Sequence, residues 1–201
     1  MHKLCSSIFI VALALLFGAC SSRDPRFNNE TVYMGGFRGP APEPNRANFD
    51  DVSYWDGDGV SGAPSIRISL GEQRAYFYKG GELVGVSTLS SGREGYDTPT
   101  GNYKIIQKSK DHKSNLYGDY VDQSGNVIQK DIGVRTHRKP PGAIFDGARM
   151  PYFMRIVGGV GMHAGFLPGY PASHGCIRMP EFMAAHFFAN VEKGTPVTVT
   201  R

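Results

Sequence analysis

Beyond residue 60 the chain offers one convincing helix, Glu181–Asn190 (EFMAAHFFAN), and almost everything else is a short run cut off by glycine or proline. That single feature excludes a helical bundle and points to a mainly β fold. Ser65–Leu70 (SIRISL) alternates apolar and polar, as a half-buried strand does. Arg74–Lys79 (RAYFYK) and Glu82–Leu89 (ELVGVSTL) flank Gly80-Gly81, a two-residue hairpin signal. Asn102–Gln107 reads as a further strand, 121–127 as a hairpin tip, and Phe153–Val157 with Val160–His163 as core strands. Pro180 introduces the helix at a favoured first-turn position, and the apolar residues nearly encircle it, so it is expected to be mostly buried. Pro196–Thr200 closes the chain as a strand.

The first residues read as an export signal. Lys3 supplies the positive end, and Ile8–Phe17 is an apolar run too short for a comfortable membrane span. Leu16-Phe17-Gly18-Ala19-Cys20 follows, small residues before a cysteine in the manner of a bacterial lipoprotein cleavage box. The expectation is a signal peptide over 1–19 and lipidation at Cys20, holding the protein at a membrane of the periplasm or cell envelope. Each buried acyl methylene would contribute about 0.8 kcal/mol. Ordinary cleavage after Ala19, or an uncleaved anchor, is the alternative. Residues 20–63 carry Pro25, Pro40, Pro42, Pro44 and an acidic cluster without periodicity, so a flexible tether is expected there, with Tyr54 and Trp55 as the residues that could pack on the domain surface. The domain proper is expected over 64–201.

The chain carries 22 basic against 18 acidic side chains, and Lys3 lies in the leader. So mild an excess suits a polyanionic wall or membrane surface and does not call for nucleic acid, for which no motif is present. The span 109–149 is the least regular of the domain. It reads as a solvated basic loop or as a flap over a substrate.

Of three cysteines, Cys5 leaves with the signal and Cys20 sits at the cleavage edge, so Cys176 is the one thiol left in the folded domain. An exported protein uses cysteines mainly in disulfide pairs. A lone one is either buried and inert or reactive. Its surroundings favour reactivity: His163, Ser173, His174, Gly175, Cys176 and Arg178 fall within sixteen residues, and Gly165, Pro168, Gly169 and Pro171 force a looped path between them. A neighbouring imidazole generates the thiolate, the reactive form. A zinc site from His163, His174 and Cys176 lacks an evident fourth ligand, so no metal is expected.

Ser173-His174-Gly175-Cys176-Ile177-Arg178, with Met162-His163 upstream, resembles the L,D-transpeptidase catalytic-domain family of the YkuD type. Met150-Pro151-Tyr152-Phe153-Met154 and the Thr98-Pro99-Thr100-Gly101 turn add to the likeness. The resemblance covers about 64–201 and implies a β-sandwich-like catalytic domain with the prominent helix after the catalytic loop. It implies acyl transfer on peptidoglycan stem peptides without a cofactor: a Cys176 thioester, loss of D-alanine, and capture by a diamino-acid amine of another stem or by a wall-attached protein. Cys176 would be the nucleophile and His163 the base, its tautomer fixed by the Ala164 carbonyl. The amides of Gly175 and Cys176 would form the oxyanion hole, with Ser173 and His174 ordering the loop. Arg178 and Tyr152 would bind substrate. Arg178 stands where many relatives have Asn, and only twelve residues separate His163 from Cys176, so acceptor choice stays open. A non-catalytic wall-binding lipoprotein and an L,D-carboxypeptidase that trims stems are the alternatives.

Overall fold

The computed structural model describes Asp50 and residues 52–201. All belong to the second of the two units into which the chain divides, Val32–Arg201. The expected signal at 1–19, Cys20 and the tether as far as residue 49 lie outside the described residues.

Two sheets and one helix make up the domain. The first sheet has six strands in the order β1(Tyr54–Trp55), β4(Glu82–Thr88), β3(Arg74–Lys79), β2(Pro64–Ser69), β11(Pro196–Thr200), β5(Gly101–Lys104). The second has five, in the order β10(Ile177–Met179), β9(Val160–Ala164), β8(Ile144–Val157), β6(Gln107–Val121), β7(Val127–Gly133). Alternation decides which residues face inward. Ile66 and Ile68 of β2, and Ala75 and Phe77 of β3, are buried, while Arg67 and Tyr76 between them are not. Gly80 and Gly81 both take positive φ (59° and 89°), so the hairpin between β3 and β4 closes in two residues.

One hydrophobic core serves both sheets. Phe77, Met154, Met162, Ile177, Phe187 and Val197 belong to a single buried cluster drawn from both sheets and the helix. The helix α1(Glu181–Asn190) buries Met183, Ala184 and Phe187, and Phe187 meets Phe77 at 4.9 Å between ring centres. It is less enclosed than its composition suggested, since Phe182 stays 49% exposed. Pro180 stands just outside it, and its carbonyl accepts the Ala184 N–H at 2.9 Å.

Other expectations require correction. The sheet starts upstream of Pro64. Tyr54 and Trp55 pair with Val86 and Gly85, and Trp55 packs against Phe77 (5.1 Å) and stacks on His186 (5.0 Å). Asn102–Gln107 is not one strand. β5 ends at Lys104 and β6 begins at Gln107, so the chain crosses between sheets at Ile105 and Ile106, one buried and one exposed. Most of the span 109–149 is not loop but the long strands β6, β7 and the first half of β8, paired from Gln107↔Arg155 to Val121↔Ile144; the basic loop is confined to 134–143, where Arg135, Arg138 and Lys139 are exposed. These strands form an arm with its own small core of Tyr120, Ile132 and Ala143, against which Phe145 packs.

Candidate active site

The residues singled out between 163 and 178 come together because β9 and β10 are parallel neighbours. Their register sets Arg178 opposite His163 and Ile177 opposite Met162. The intervening loop is stitched to the segment after β4. Ser90 bridges Arg178, and Gly92 bridges Ser173. The N–H groups of Ala172 and Ser173 donate to the Ser91 carbonyl, both at 3.0 Å. Thr98, buried, donates its hydroxyl to the Gly175 carbonyl (2.8 Å) and accepts the Gly92 N–H (2.9 Å). Gly92 has no room for a side chain, because a Cβ there would collide with the Tyr96 carbonyl and crowd Gly175.

A cavity of about 200 Å³ opens beside this loop. Its wall contains Cys176, His163, His174, Ser173 and Arg178, together with His112 and Tyr117 of β6 and Arg149 and Arg155 of β8. His163 is buried, and its Nδ1 lies 2.8 Å from the Ala164 carbonyl. A carbonyl only accepts, so Nδ1 carries the proton and Nε2 keeps its lone pair. Burial, with a smaller contribution from the Arg178 charge, lowers the His163 pKa to about 4. Cys176 is partly buried, and its thiol donates to the Gly159 carbonyl at 3.6 Å. Burial raises its pKa, against a weaker opposing pull from the Gly161 amide and from Arg178. The resting pair is therefore a neutral thiol and a neutral imidazole.

Two expected roles do not fit the geometry. Gly175 has φ of +105°, a conformation suited to glycine, and its amide donates to Ser173 Oγ at 3.1 Å. It is thus committed within the loop and not turned to the cavity. Ser173 Oγ in turn donates to the Cys176 carbonyl, so this hydroxyl holds the loop. Tyr152 does not line the cavity. Its φ is 57°, and its ring packs edge-on against Phe188 at 5.8 Å.

His174 orders the loop through partners that no motif announces. Arg93 donates from Nη2 to His174 Nε2 at 2.9 Å, and its guanidinium sits 4.4 Å from the Tyr96 ring centre. Tyr117 of the arm stacks on the His174 ring at 4.2 Å, with Tyr96 edge-on at 4.7 Å. Burial first, then the charges of Arg93 and Arg178, lower the His174 pKa to about 4. His112 stacks on Phe153 at 4.2 Å, on the cavity side of β6. Arg93, Tyr117 and His112 are distant from the motif in sequence, and only aromatic or basic character could have flagged them. Among the described residues no group of three His, Cys, Asp or Glu side chains is placed to hold a metal ion.

The model of one family, the YkuD L,D-transpeptidase catalytic domain, matches residues 63–199. The chain belongs to this family. Solved L,D-transpeptidases share its fold. A cysteine-to-serine mutant of the Enterococcus faecium enzyme aligns at 26% identity and TM-score 0.50, covering 70% of this chain and 50% of that one. The Mycobacterium smegmatis L,D-transpeptidase aligns at 18% and 0.52, and an L,D-transpeptidase in complex with imipenem at 19% and 0.52; each covers 69% of this chain and 59% of the other. This L,D-transpeptidase domain thus spans roughly half to three fifths of the length of those chains. Among curated proteins nothing matches.

Proposed function

We propose that this L,D-transpeptidase-family protein transfers acyl groups between peptidoglycan stem peptides through a Cys176 thioester. The observation that supports the reading is convergence: the Cys176 thiol and the His163 imidazole face one cavity, and the Ala164 carbonyl leaves His163 Nε2 as the only basic nitrogen of that ring. Because both groups rest neutral, the thiol proton moves to Nε2 as sulfur attacks the carbonyl after the third stem residue. The C–S bond forms, His163 returns the proton to the departing D-alanine amine, and the C–N bond breaks. An amine of a neighbouring stem then gives its proton to His163 and displaces the thiolate. The oxyanion falls to the Cys176 amide, since the Gly175 amide is engaged with Ser173. We also propose export, with Cys20 as the lipid-bearing residue and the periplasm or cell envelope as the compartment.

Incubation with defined tetrapeptide muropeptides, followed by mass spectrometry, tests the reaction. The expected product is a dimer joined through two third-position residues. Cys176→Ala should lower its rate by at least about a thousandfold. A tripeptide product would assign hydrolysis instead, and turnover unchanged in Cys176→Ala would remove the thiol from the mechanism.

A further inference from the structure

The cavity wall is charged with one sign. Arg149, Arg155 and Arg178 line it, and among the described residues no aspartate or glutamate does. On β6 the cavity receives His112, while its flanking residues Asp111 and Lys113 are not part of the wall. Asp146, two residues beyond the cavity-lining Ala148, is bound instead to Lys113 at 3.2 Å.

Arg155 is held in place. Its Nε donates to Gln107 Oε1 at 2.8 Å, its Nη1 donates to the Gly158 carbonyl at 2.6 Å, and its guanidinium lies 5.1 Å from the Phe153 ring centre. The cation is therefore fixed beside the turn whose next carbonyl, Gly159, accepts the Cys176 thiol. Arg149, by contrast, is exposed and stands opposite Lys113 in the β6–β8 register. The positive field reaches the titratable groups of the wall: burial and then Arg155 lower His112, and Arg178 adds to burial at His163. Guanidinium groups, one of them fixed, without lining carboxylates are complementary to an anion, and guanidinium meets carboxylate in paired hydrogen bonds.

We propose that Arg149 and Arg155 make this site selective for stem peptides whose side-chain or α-carboxylates are free, and that stems carrying carboxamides at those positions are discriminated against. The inference rests on the reading of the cavity as a stem-peptide site, but binding alone reads it out. Substrates that walls present in either carboxylate or carboxamide form differ at this point by one or two charges and nothing else of comparable size. Charge-assisted hydrogen bonds to a fixed cation are about twice as strong as neutral ones, so the neutral peptide loses most where Arg155 acts.

The test is equilibrium binding to the full-length Cys176→Ala protein, which removes chemistry. One ligand is a stem tetrapeptide with free carboxylates on its second and third residues; the other is the same peptide with both as carboxamides. The acid form should bind about tenfold more tightly at low salt, and the difference should shrink as ionic strength rises. Arg155→Gln in the same background should reduce the preference to under about threefold. Arg149→Gln, an exposed change that spares the turn, should reduce it by a smaller factor. Equal affinity for the two peptides, absence of binding by either, or a preference that survives in both glutamine variants overturns the proposal. Wild-type turnover is a separate measurement. A preference for the acid peptide without any dimer product would leave the inference standing and remove the proposed acyl transfer.

Discussion

The two ends of this domain use their residues differently. Around β2, β3, β4 and α1, apolar side chains alternate inward into one shared core, and Ile68, Ala75, Phe77 and Phe187 have no exposure at all. In the arm of β6, β7 and early β8 the strands reach 15 residues, yet its buried apolar cluster is three residues, Tyr120, Ile132 and Ala143. Val127, Ile128 and Ile144 there stay exposed, and the face toward the cavity bears histidine, tyrosine and arginine. The first region is stabilised by burial, and the second by backbone pairing to a neighbour that is itself well packed. The contrast teaches that the site is assembled where stability is thin. The loop between β9 and β10 is tied to the dense region through Ser90, Ser91 and Gly92, while the arm forms another wall of the cavity.

Equivalent cuts in the two regions should therefore behave differently. Phe77→Ala empties the centre of the shared core and should lower the free energy of unfolding by about 3–5 kcal/mol. Ile132→Ala should cost about 2 kcal/mol, expressed mainly as faster amide exchange within 107–149, with the global transition little moved. Hydrogen exchange alongside denaturant titration checks both. Should Ile132→Ala lower the protection of β2 and β3 as much as Phe77→Ala does, the arm is no separate layer of stability.

The loop between the regions has its own pH signature. His163 titrates at about 4 in the folded protein against an ordinary value near 6.5. Its folded-state pKa is depressed, so the unfolded chain binds the proton first. Stability is complete above about pH 6.5 and is lost as pH falls from there to about 4, amounting to about 3 kcal/mol from this residue. Denaturant titrations at pH 7 and pH 4 should find that loss in the wild type and a smaller one in His163→Gln. An identical acid slope in both proteins would place the buried charge elsewhere.

What the sequence disclosed follows the same division. The hairpin at Gly80-Gly81 was legible because a half-buried strand imposes a period of two and its turn demands positive φ. The grouping of His163 with Cys176 was legible because adjacent parallel strands and one loop carry all of it. The arm was not, because one face of β6 is solvated and the other borders a cavity, so apolar alternation never develops over residues 108–117. The break at Ile105 and Ile106 was hidden for a related reason: two isoleucines in succession read as strand continuation, although one is buried and the other 53% exposed. Tyr152 was misplaced because a positive φ at a non-glycine residue leaves no trace in the sequence. Arg93 was invisible because its partner His174 is 81 positions away.

That last pair offers the finest probe of the junction. Arg93 meets the loop twice. Its backbone N–H donates to the Ser173 carbonyl at 3.0 Å, which no side-chain change removes, and its Nη2 donates to His174 Nε2 at 2.9 Å. The same ring of His174 is stacked by Tyr117 from the arm, so this imidazole is where the dense region and the arm touch one residue. Arg93→Met keeps the aliphatic stem over Tyr96 and deletes the charge and the donor. One hydrogen bond is lost at a half-buried site, so stability should fall by only about 1 kcal/mol. The His174 pKa, held near 4 by burial and next by Arg93, should rise toward its ordinary value as the neighbouring cation disappears. Proton NMR titration of the His174 ring reads this directly, and Arg93→Lys should keep the pKa low by restoring the charge without the planar donor. If His174 titrates unchanged in Arg93→Met, its state is set by the arm through Tyr117 and by burial, and the coupling between the two regions runs through stacking alone.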